Sequence, residues 1–212
     1  MYYRPWKIQA LESEQVQRLA RALEMPQLLC RVLAARGYTN PETARTVCEG
    51  VSALSDPMML AGMEQAVERI HRAVDGGERV VVFGDYDVDG VTATAMLYTY
   101  LDSIGAEVYY KLPNREEDGY GLSVPAVEQM AEKGVQLIIT VDNGISAAEA
   151  VARASELDMD VVVTDHHLPP ETLPQAAALI DPQLPYDTSP CKTLCGAGVA
   201  YKLICALEGA TC

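Results

Sequence analysis

The sequence predicts an α/β protein: a doubly wound, mainly parallel five-stranded sheet with helices on both faces, preceded by a small helical segment. Short and almost wholly apolar runs alternate with helical patterns along residues 79–207. Such runs are typical of parallel strands that are covered on both faces. The chain has 212 residues, of which 49% are hydrophobic, and this is enough to bury one large core.

The first fifty residues are predicted to form a separate helical segment. Apolar residues at helical spacing predict a helix over residues 13–23, and a second run covers residues 26–35. Asn40 is a typical N-cap, and the proline after it favours the first position of a third helix. We therefore divide the chain into residues 1–50, the helical N-terminal segment, and 51–212, the α/β domain.

The α/β domain is predicted to begin with an amphipathic helix, after which strands and helices alternate. The predicted order is helix 63–74, strand 79–83, helix 91–104, strand 107–112, helix 125–133, strand 137–141, helix 147–157, strand 160–163, strand 177–180 and helix 198–207.

Three of the predicted strands run directly into acidic and imidazole side chains. The first strand precedes Asp85, Asp87 and Asp89, the third precedes Asp142, and the fourth precedes Asp165, His166 and His167. Ligands of open parallel sheets bind outside the carboxyl ends of the strands, so these side chains should meet in one crevice.

The three alternating aspartates after the first strand are the strongest of these signals. In an extended segment, alternate side chains share a face, and like charges so close are unfavourable unless cations bind between them. The alternative is that the aspartates cap the following helix. Asp142 alone is more typical of a turn residue that caps the next helix, and His166 and His167 alone are equally typical of a polar turn at a strand end.

Taken together, carboxylate and imidazole ligands suit Mn²⁺, with Mg²⁺ possible on the oxygen-rich side. Two such ions activate water and hold the leaving oxygen of a phosphoester, so the predicted reaction is metal-assisted phosphoester hydrolysis. Arg115 follows the second strand and could bind a substrate phosphate, or form a surface ion pair with a neighbouring glutamate.

The net charge of −14 argues against a broad basic surface that grips duplex DNA, because nonspecific binding depends on lysine and arginine. A substrate phosphate would therefore have to be attracted by bound metal ions and by a few arginines at defined positions. The sequence has no apolar run long enough to cross a bilayer and no secretory signal, so no membrane partner and a cytoplasmic location are expected.

Three motifs give the chain a family resemblance. Residues 85–90 (DYDVDG), 141–144 (VDNG) and 165–167 (DHH) resemble the DHH phosphoesterase superfamily. Residues 113–115 (PNR), 119–123 (GYGLS) and 194–203 (LCGAGVAYKL) extend the resemblance to its RecJ-type single-stranded-DNA-specific exonucleases.

The resemblance implies a 5′-to-3′ exonuclease that acts on single-stranded DNA in recombination and repair, with Mn²⁺ or Mg²⁺, and two ions expected. It implies that Asp85, Asp87, Asp89, Asp142, His166 and His167 are the catalytic metal ligands. It further implies that Asp165 orients the histidines from behind and that Arg115, Asn143 and Gly144 contact the substrate. Possible partners are single-stranded-DNA-binding protein and a helicase.

Enzymes of the RecJ type continue beyond this sequence, so we expect the chain to be an amino-terminal fragment with weak activity alone. Two other functions fit the motifs. The first is a DHH-type phosphoesterase of oligoribonucleotides, cyclic dinucleotides or pyrophosphate, and the second is a non-catalytic nucleotide-binding module. A dehalogenase-type phosphotransferase with Asp87 as nucleophile gives the two histidines no role.

Overall fold

A computed structural model describes residues 13–49, 54–113 and 121–209. The chain forms two compact units, residues 1–54 and residues 55–212. The predicted boundary after residue 50 stays a prediction.

The first unit is helical, as predicted. Its helices are α1 (Ser13–Leu23), α2 (Gln27–Ala35) and α3 (Pro41–Glu49). Asn40 begins α3 as expected, since its side-chain oxygen accepts a hydrogen bond from the Glu42 amide at 2.8 Å. Residues at helical spacing in α1 and α2 form a small shared core around Leu19 and Cys30.

The second unit contains five strands and five α-helices among its described residues. In chain order these are α4 (Met63–Gly76), β1 (Val80–Phe83), α5 (Val88–Ser103), β2 (Val108–Lys111), α6 (Val124–Glu132), β3 (Leu137–Val141), α7 (Ala148–Glu156), β4 (Asp160–Thr164), β5 (Ala178–Ile180) and α8 (Gly196–Leu207).

The five strands form one sheet in the order β2-β1-β3-β4-β5, and every neighbouring pair is parallel. This confirms the predicted fold class. The strand order reverses between β1 and β3, because Val82 pairs with Tyr110 on one side and Ile139 on the other. In sheets of this order the ligand crevice lies beyond the carboxyl ends of those two strands.

The helices cover the sheet on both faces. Val80 and Val82 belong to a core with residues of α4, α5 and α8, whereas Val81 and Phe83 belong to a core with residues of α6 and α7. All four residues of β1 are buried, which explains why its sequence is apolar without alternation. None of the described helices is long and apolar enough to cross a bilayer.

The start of α5 differs from the prediction in a way that affects the acidic motif. The helix begins at Val88 rather than Val91, because the Asp87 carboxylate accepts hydrogen bonds from the amides of Asp89 and Gly90 at 2.8 and 3.0 Å. Asp89 therefore lies in the first helical turn. The expectation that two or three of these carboxylates point together holds for Asp85 and Asp87, which share a group of potential ligands, but not for Asp89.

Candidate metal centre

The carboxyl ends of β1, β3 and β4 bring potential metal ligands together. Two groups each place one ligand atom of every member within 4.8 Å of the others: Asp85 with Asp87 and Asp142, and Asp142 with His166 and His167. Asp142 belongs to both groups. The strand ends thus form one crevice in which a single carboxylate links two clusters of donors.

Asp142 is buried, with 2% of its surface exposed, and its backbone φ is +63°. Its Oδ1 lies 3.0 Å from His166 Nε2 but has no aligned hydrogen bond. Burial, followed by the charges of Asp89 and Asp87, raises the pKa of Asp142 to about 7. A buried carboxylate with this pKa is stabilised in its ionised form by a bound cation.

Asp85 and Asp87 stand at the β1 end of the crevice. Asp85 is 3% exposed, and its Oδ1 is buried without a hydrogen-bond partner. Burial raises the pKa of Asp85 against the opposing hydrogen bond from the Tyr86 amide, and the neighbouring Asp87 charge adds to the rise. Asp87 is exposed and uses one oxygen, Oδ1, to cap α5. The N-cap alternative thus describes part of what Asp87 does.

Asp165 holds the two histidines in place. Its Oδ1 accepts hydrogen bonds from the amides of His166 and His167 at 2.7 and 3.2 Å and lies 2.7 Å from His167 Nδ1. Its Oδ2 accepts from the Ile145 amide at 3.0 Å. The Nδ1 contact assigns Nε2 as the nitrogen of His167 that can ligate a metal ion.

The Asp165 contact also changes the acidity of His167. Burial acts to lower the pKa of His167, but the hydrogen bond and charge of Asp165 outweigh it and the net pKa is raised. His166 and His167 pack with their ring centres 4.5 Å apart.

Asp89 belongs to neither group of potential ligands. Its Oδ2 and Oδ1 accept hydrogen bonds from the amides of Gly196 and Ala197, each at 2.7 Å, so the carboxylate caps α8. Burial acts to raise the pKa of Asp89, but the hydrogen bonds from Ala197, Cys195 and Gly196 outweigh it and lower that pKa. The carboxylate remains near the crevice, with Oδ2 at 3.6 Å from His166 Nε2.

The predicted substrate-binding residues are placed differently from one another. Asn143 is fully buried, and its amide donates to the carbonyl oxygens of Val141 and Phe83 at 2.9 and 3.3 Å. Gly144, with φ +110°, lines a cleft of about 400 Å³. Arg115 lies outside the described residues. The cleft is lined by Gly121, Leu122, Gly144, Ile145, Ser146, Ala147, Asp165 and His167.

Sequence reasoning did not single out Asp181, which follows β5. Thr164 pairs with Ile180, and the Asp165 amide donates a hydrogen bond to the Ile180 carbonyl oxygen. Asp181 therefore lies beside Asp165, just beyond the carboxyl ends of β4 and β5. It is fully buried, its Oδ2 has no hydrogen-bond partner, and burial and the Asp165 charge raise its pKa to about 6. An acidic residue directly after a predicted strand was the signal that could have identified it.

The donors of the crevice fit a divalent cation. Asp85 and Asp142 each have a buried carboxylate oxygen with no hydrogen-bond partner, and such atoms are costly unless a cation binds them. Carboxylate and imidazole donors together suit Mn²⁺, and the carboxylates alone suit Mg²⁺.

Comparison with known proteins gives the same picture. The family model "DHH family, N-terminal domain" matches residues 79–211. The chain is 39% identical over 205 residues to the single-stranded-DNA-specific exonuclease RecJ of Bacillus subtilis (strain 168), covering 96% of this chain and 26% of the relative. It is 45% identical over 186 residues to RecJ of Escherichia coli (strain K12), and the match covers 87% of this chain and 32% of the relative.

The fold of the chain also matches a solved structure. A crystal structure of RecJ from Thermus thermophilus in complex with Mn²⁺ superposes with a TM-score of 0.73 at 28% identity, covering 95% of this chain and 28% of that one. The chain thus spans about a quarter to a third of the length of the relatives it matches. The family model matches more than half of the chain, and the sheet order and the crevice of carboxylates and imidazoles agree with it. The chain therefore belongs to the DHH family.

Proposed function

We propose that this chain carries the metal centre of an exonuclease that hydrolyses phosphodiester bonds of single-stranded DNA from the 5′ end. The observation that carries the proposal is Asp142, a buried carboxylate shared by two groups of potential ligands. The relatives are named single-stranded-DNA-specific exonucleases, and this supports single-stranded DNA as the substrate.

The proposed ligands are Asp85, Asp87, Asp142, His166 and His167. A bound divalent ion supplies a nucleophilic water at neutral pH and stabilises negative charge on the phosphate. Asp142 supplies the shared negative charge, and Asp165 keeps the His167 ring fixed through Nδ1. Each Asp89 oxygen accepts one hydrogen bond from α8 and keeps a further lone pair, so we propose that Asp89 both positions that helix and completes the ligand set.

Substrate contacts are proposed at the cleft beside His167. Gly144 lines that cleft, and only glycine fits there, because its φ is +110° and a Cβ would lie 2.4 Å from Thr140 Oγ1. The backbone of this turn is proposed to face the substrate. Asn143 supports the same turn from below through its hydrogen bonds to β1 and β3. Arg115 is proposed to hold a substrate phosphate, on the strength of its place in the sequence after β2.

The setting of the reaction is part of the proposal. We infer a cytoplasmic enzyme that acts in DNA recombination and repair beside single-stranded-DNA-binding protein and a helicase. The DNA-processing activities named for the relatives support this setting.

The test is digestion of single-stranded oligonucleotides labelled at either the 5′ or the 3′ end. With Mn²⁺ present, the 212-residue chain should release mononucleotides slowly, first from the 5′ end, and EDTA should stop the release. Oligoribonucleotides, cyclic dinucleotides and pyrophosphate are tested in parallel as the smaller substrates of this reaction class.

The matched control is Asp142→Asn, which keeps the shape of the side chain and removes its charge. Mn²⁺ binding, followed by calorimetry, should be lost together with cleavage. The proposal fails if Mn²⁺ does not bind, if Asp142→Asn cleaves as well as the unmodified chain, or if a smaller substrate is clearly preferred.

A further inference from the structure

A second surface runs beside the edge strand β2. It is a groove of about 350 Å³, here called the β2 groove, whose walls include Arg79, Val81, Tyr109, Lys111, Lys133 and Val135. Arg79 precedes β1 and Val135 precedes β3, so these residues lie at the amino ends of their strands. Lys111 is the last residue of β2, so the groove extends along the whole of that strand. None of the groove residues belongs to the two groups of potential metal ligands.

The backbone of β2 leaves hydrogen-bonding groups on the outer edge of the sheet. The carbonyl oxygens of Glu107 and Lys111 accept from Val80 and Gly84 at 2.9 and 3.0 Å, so odd-numbered residues face β1. The N–H and C=O of Tyr110 therefore point outward. Among the described strands, only β1 pairs with β2. Such an edge pairs readily with another extended chain.

The side chains along this edge form an apolar floor with a basic rim. Val81 and Val135, each 5% exposed, line the groove with Tyr109, which pairs with Val81 in the sheet and is half exposed. Lys133 is exposed, and its ammonium group forms no ion pair with a described residue, while Lys111 Nζ bonds Gln129 at 2.9 Å. Arg79 is paired with Glu107. The rim therefore carries a net positive charge in a chain whose total charge is −14.

The geometry favours a peptide over a nucleic acid. Only a polypeptide can pair with the outward N–H and C=O of Tyr110 as an added strand. Base stacking requires free ring faces, but the Arg79 guanidinium lies 5.6 Å from the Tyr109 ring centre, and Tyr110 meets Tyr98 edge to face at 5.3 Å. An apolar side chain fits the floor, and carboxylates fit the lysines.

We propose that the β2 groove docks an extended acidic peptide of a partner protein, which adds a strand outside β2 and places one aromatic side chain on the apolar floor. The proposal depends on neither the metal nor the exonuclease activity.

Binding can be measured by fluorescence anisotropy of a labelled hexapeptide of alternating aspartate and phenylalanine. We expect saturable binding at low salt that weakens as salt is raised, and protection of the Tyr110 amide from hydrogen exchange. A hexapeptide of alternating lysine and phenylalanine and a labelled oligothymidine are the comparison ligands, and both should bind at least about tenfold more weakly to this groove.

The variant Lys133→Glu reverses one rim charge on an exposed side chain and should weaken binding of the acidic peptide about tenfold. Arg72→Glu makes the same charge change at an exposed side chain of α4, outside the β2 groove, and should leave the peptide affinity unchanged. Mn²⁺ affinity should be the same in both variants. Absent peptide binding, equal binding by Lys133→Glu, an unprotected Tyr110 amide, or tighter Lys133-dependent binding of oligothymidine each overturns the proposal.

Discussion

At the scale of single residues, Asp142 shows how a proposed metal ligand can lower stability: its side chain is buried, and burial opposes its ionised form. A carboxylate ionises near pH 3.8 in the unfolded chain, whereas Asp142 keeps its proton up to about pH 7 when folded. At this site the folded state thus binds more protons between these values, and the contribution of Asp142 to the free energy of unfolding falls as pH rises from about 4 to about 7. The ionised side chain is a stability cost that a cation relieves.

The first prediction is that Asp142→Asn stabilises the metal-free chain at pH 8. The substitution removes a buried charge and suits the left-handed backbone, which asparagine tolerates. We expect a gain of about 1–3 kcal/mol in urea unfolding, together with loss of Mn²⁺ binding. A less stable variant that still binds Mn²⁺ would contradict this reading.

The second prediction concerns pH. Because Mn²⁺ must displace the proton of Asp142, whose pKa is about 7, the Mn²⁺ affinity should be at least about tenfold lower at pH 6 than at pH 8, and the raised pKa of His167 should add to this drop. Calorimetry in buffers of different ionisation enthalpy should also detect proton release near pH 7. An affinity that does not change across this range would show that Asp142 is not a ligand.

The third prediction is that Asp165→Asn weakens Mn²⁺ binding about 10–100-fold without touching the ion, because the His167 ring loses its carboxylate partner. The matched control is Asp158→Asn, which alters an exposed aspartate at φ +56°. Both variants should be compared by Mn²⁺ calorimetry and by the chemical shifts of the His167 ring. Equal affinities would remove Asp165 from the centre.

At the scale of secondary-structure elements, the link between α5 and α8 is the feature that the sequence did not predict. Asp89 and Gly196 are 107 positions apart, and they meet because both helices pack on the same face of the sheet. A Cβ on Gly196 would lie 2.4 Å from Asp142 Oδ1, so only glycine permits this close approach. The first turn of α8 is thereby held against the metal centre.

The fourth prediction follows from that contact. Asp89→Asn keeps one acceptor oxygen but leaves one of the two α8 amides without its partner, which should cost about 1–2 kcal/mol in urea unfolding. Asp102→Asn, at an exposed position of the same helix, should change stability by less than about 0.5 kcal/mol. The Gly196 and Ala197 amides should exchange faster only in Asp89→Asn.

The elements were predictable where local pattern decides, and less so where a cap or a distant contact decides. Strands such as β3 are short apolar runs, and the structure gives β3 the predicted bounds. The start of α5 moved by three residues because the Asp87 side chain caps it. The convergence of Asp85, Asp142 and His167 followed from the sheet rule. The position of Asp89 depended on a distant contact that spacing does not encode.

At the scale of the whole molecule, charge is distributed unevenly. Residues 1–54 carry 7 Lys and Arg against 5 Asp and Glu, whereas residues 55–212 carry 9 against 25, a net charge of −16. Several of these acids meet in the crevice, so bound cations should relieve repulsion within the second unit.

The fifth prediction is that Mn²⁺ raises the melting temperature of the chain in a concentration-dependent way. Free Mn²⁺ at about 100 times its dissociation constant adds about 2.7 kcal/mol, which corresponds to roughly 5–10 °C for a chain of this size. Differential scanning calorimetry with and without EDTA measures the shift. The Asp142→Asn variant should show none, and an equal shift in that variant would place the cation elsewhere.

The single carboxylate common to both donor groups has a consequence for how the centre loads. Below about pH 7, Asp142 would have to lose its proton to bind a first cation, and its carboxylate would then be ionised for a second. Mutual repulsion of the two cations opposes this advantage. Binding at the two positions should therefore be interdependent. A Mn²⁺ titration should depart from the hyperbola expected for independent sites, and the size of this departure should change with pH below 7.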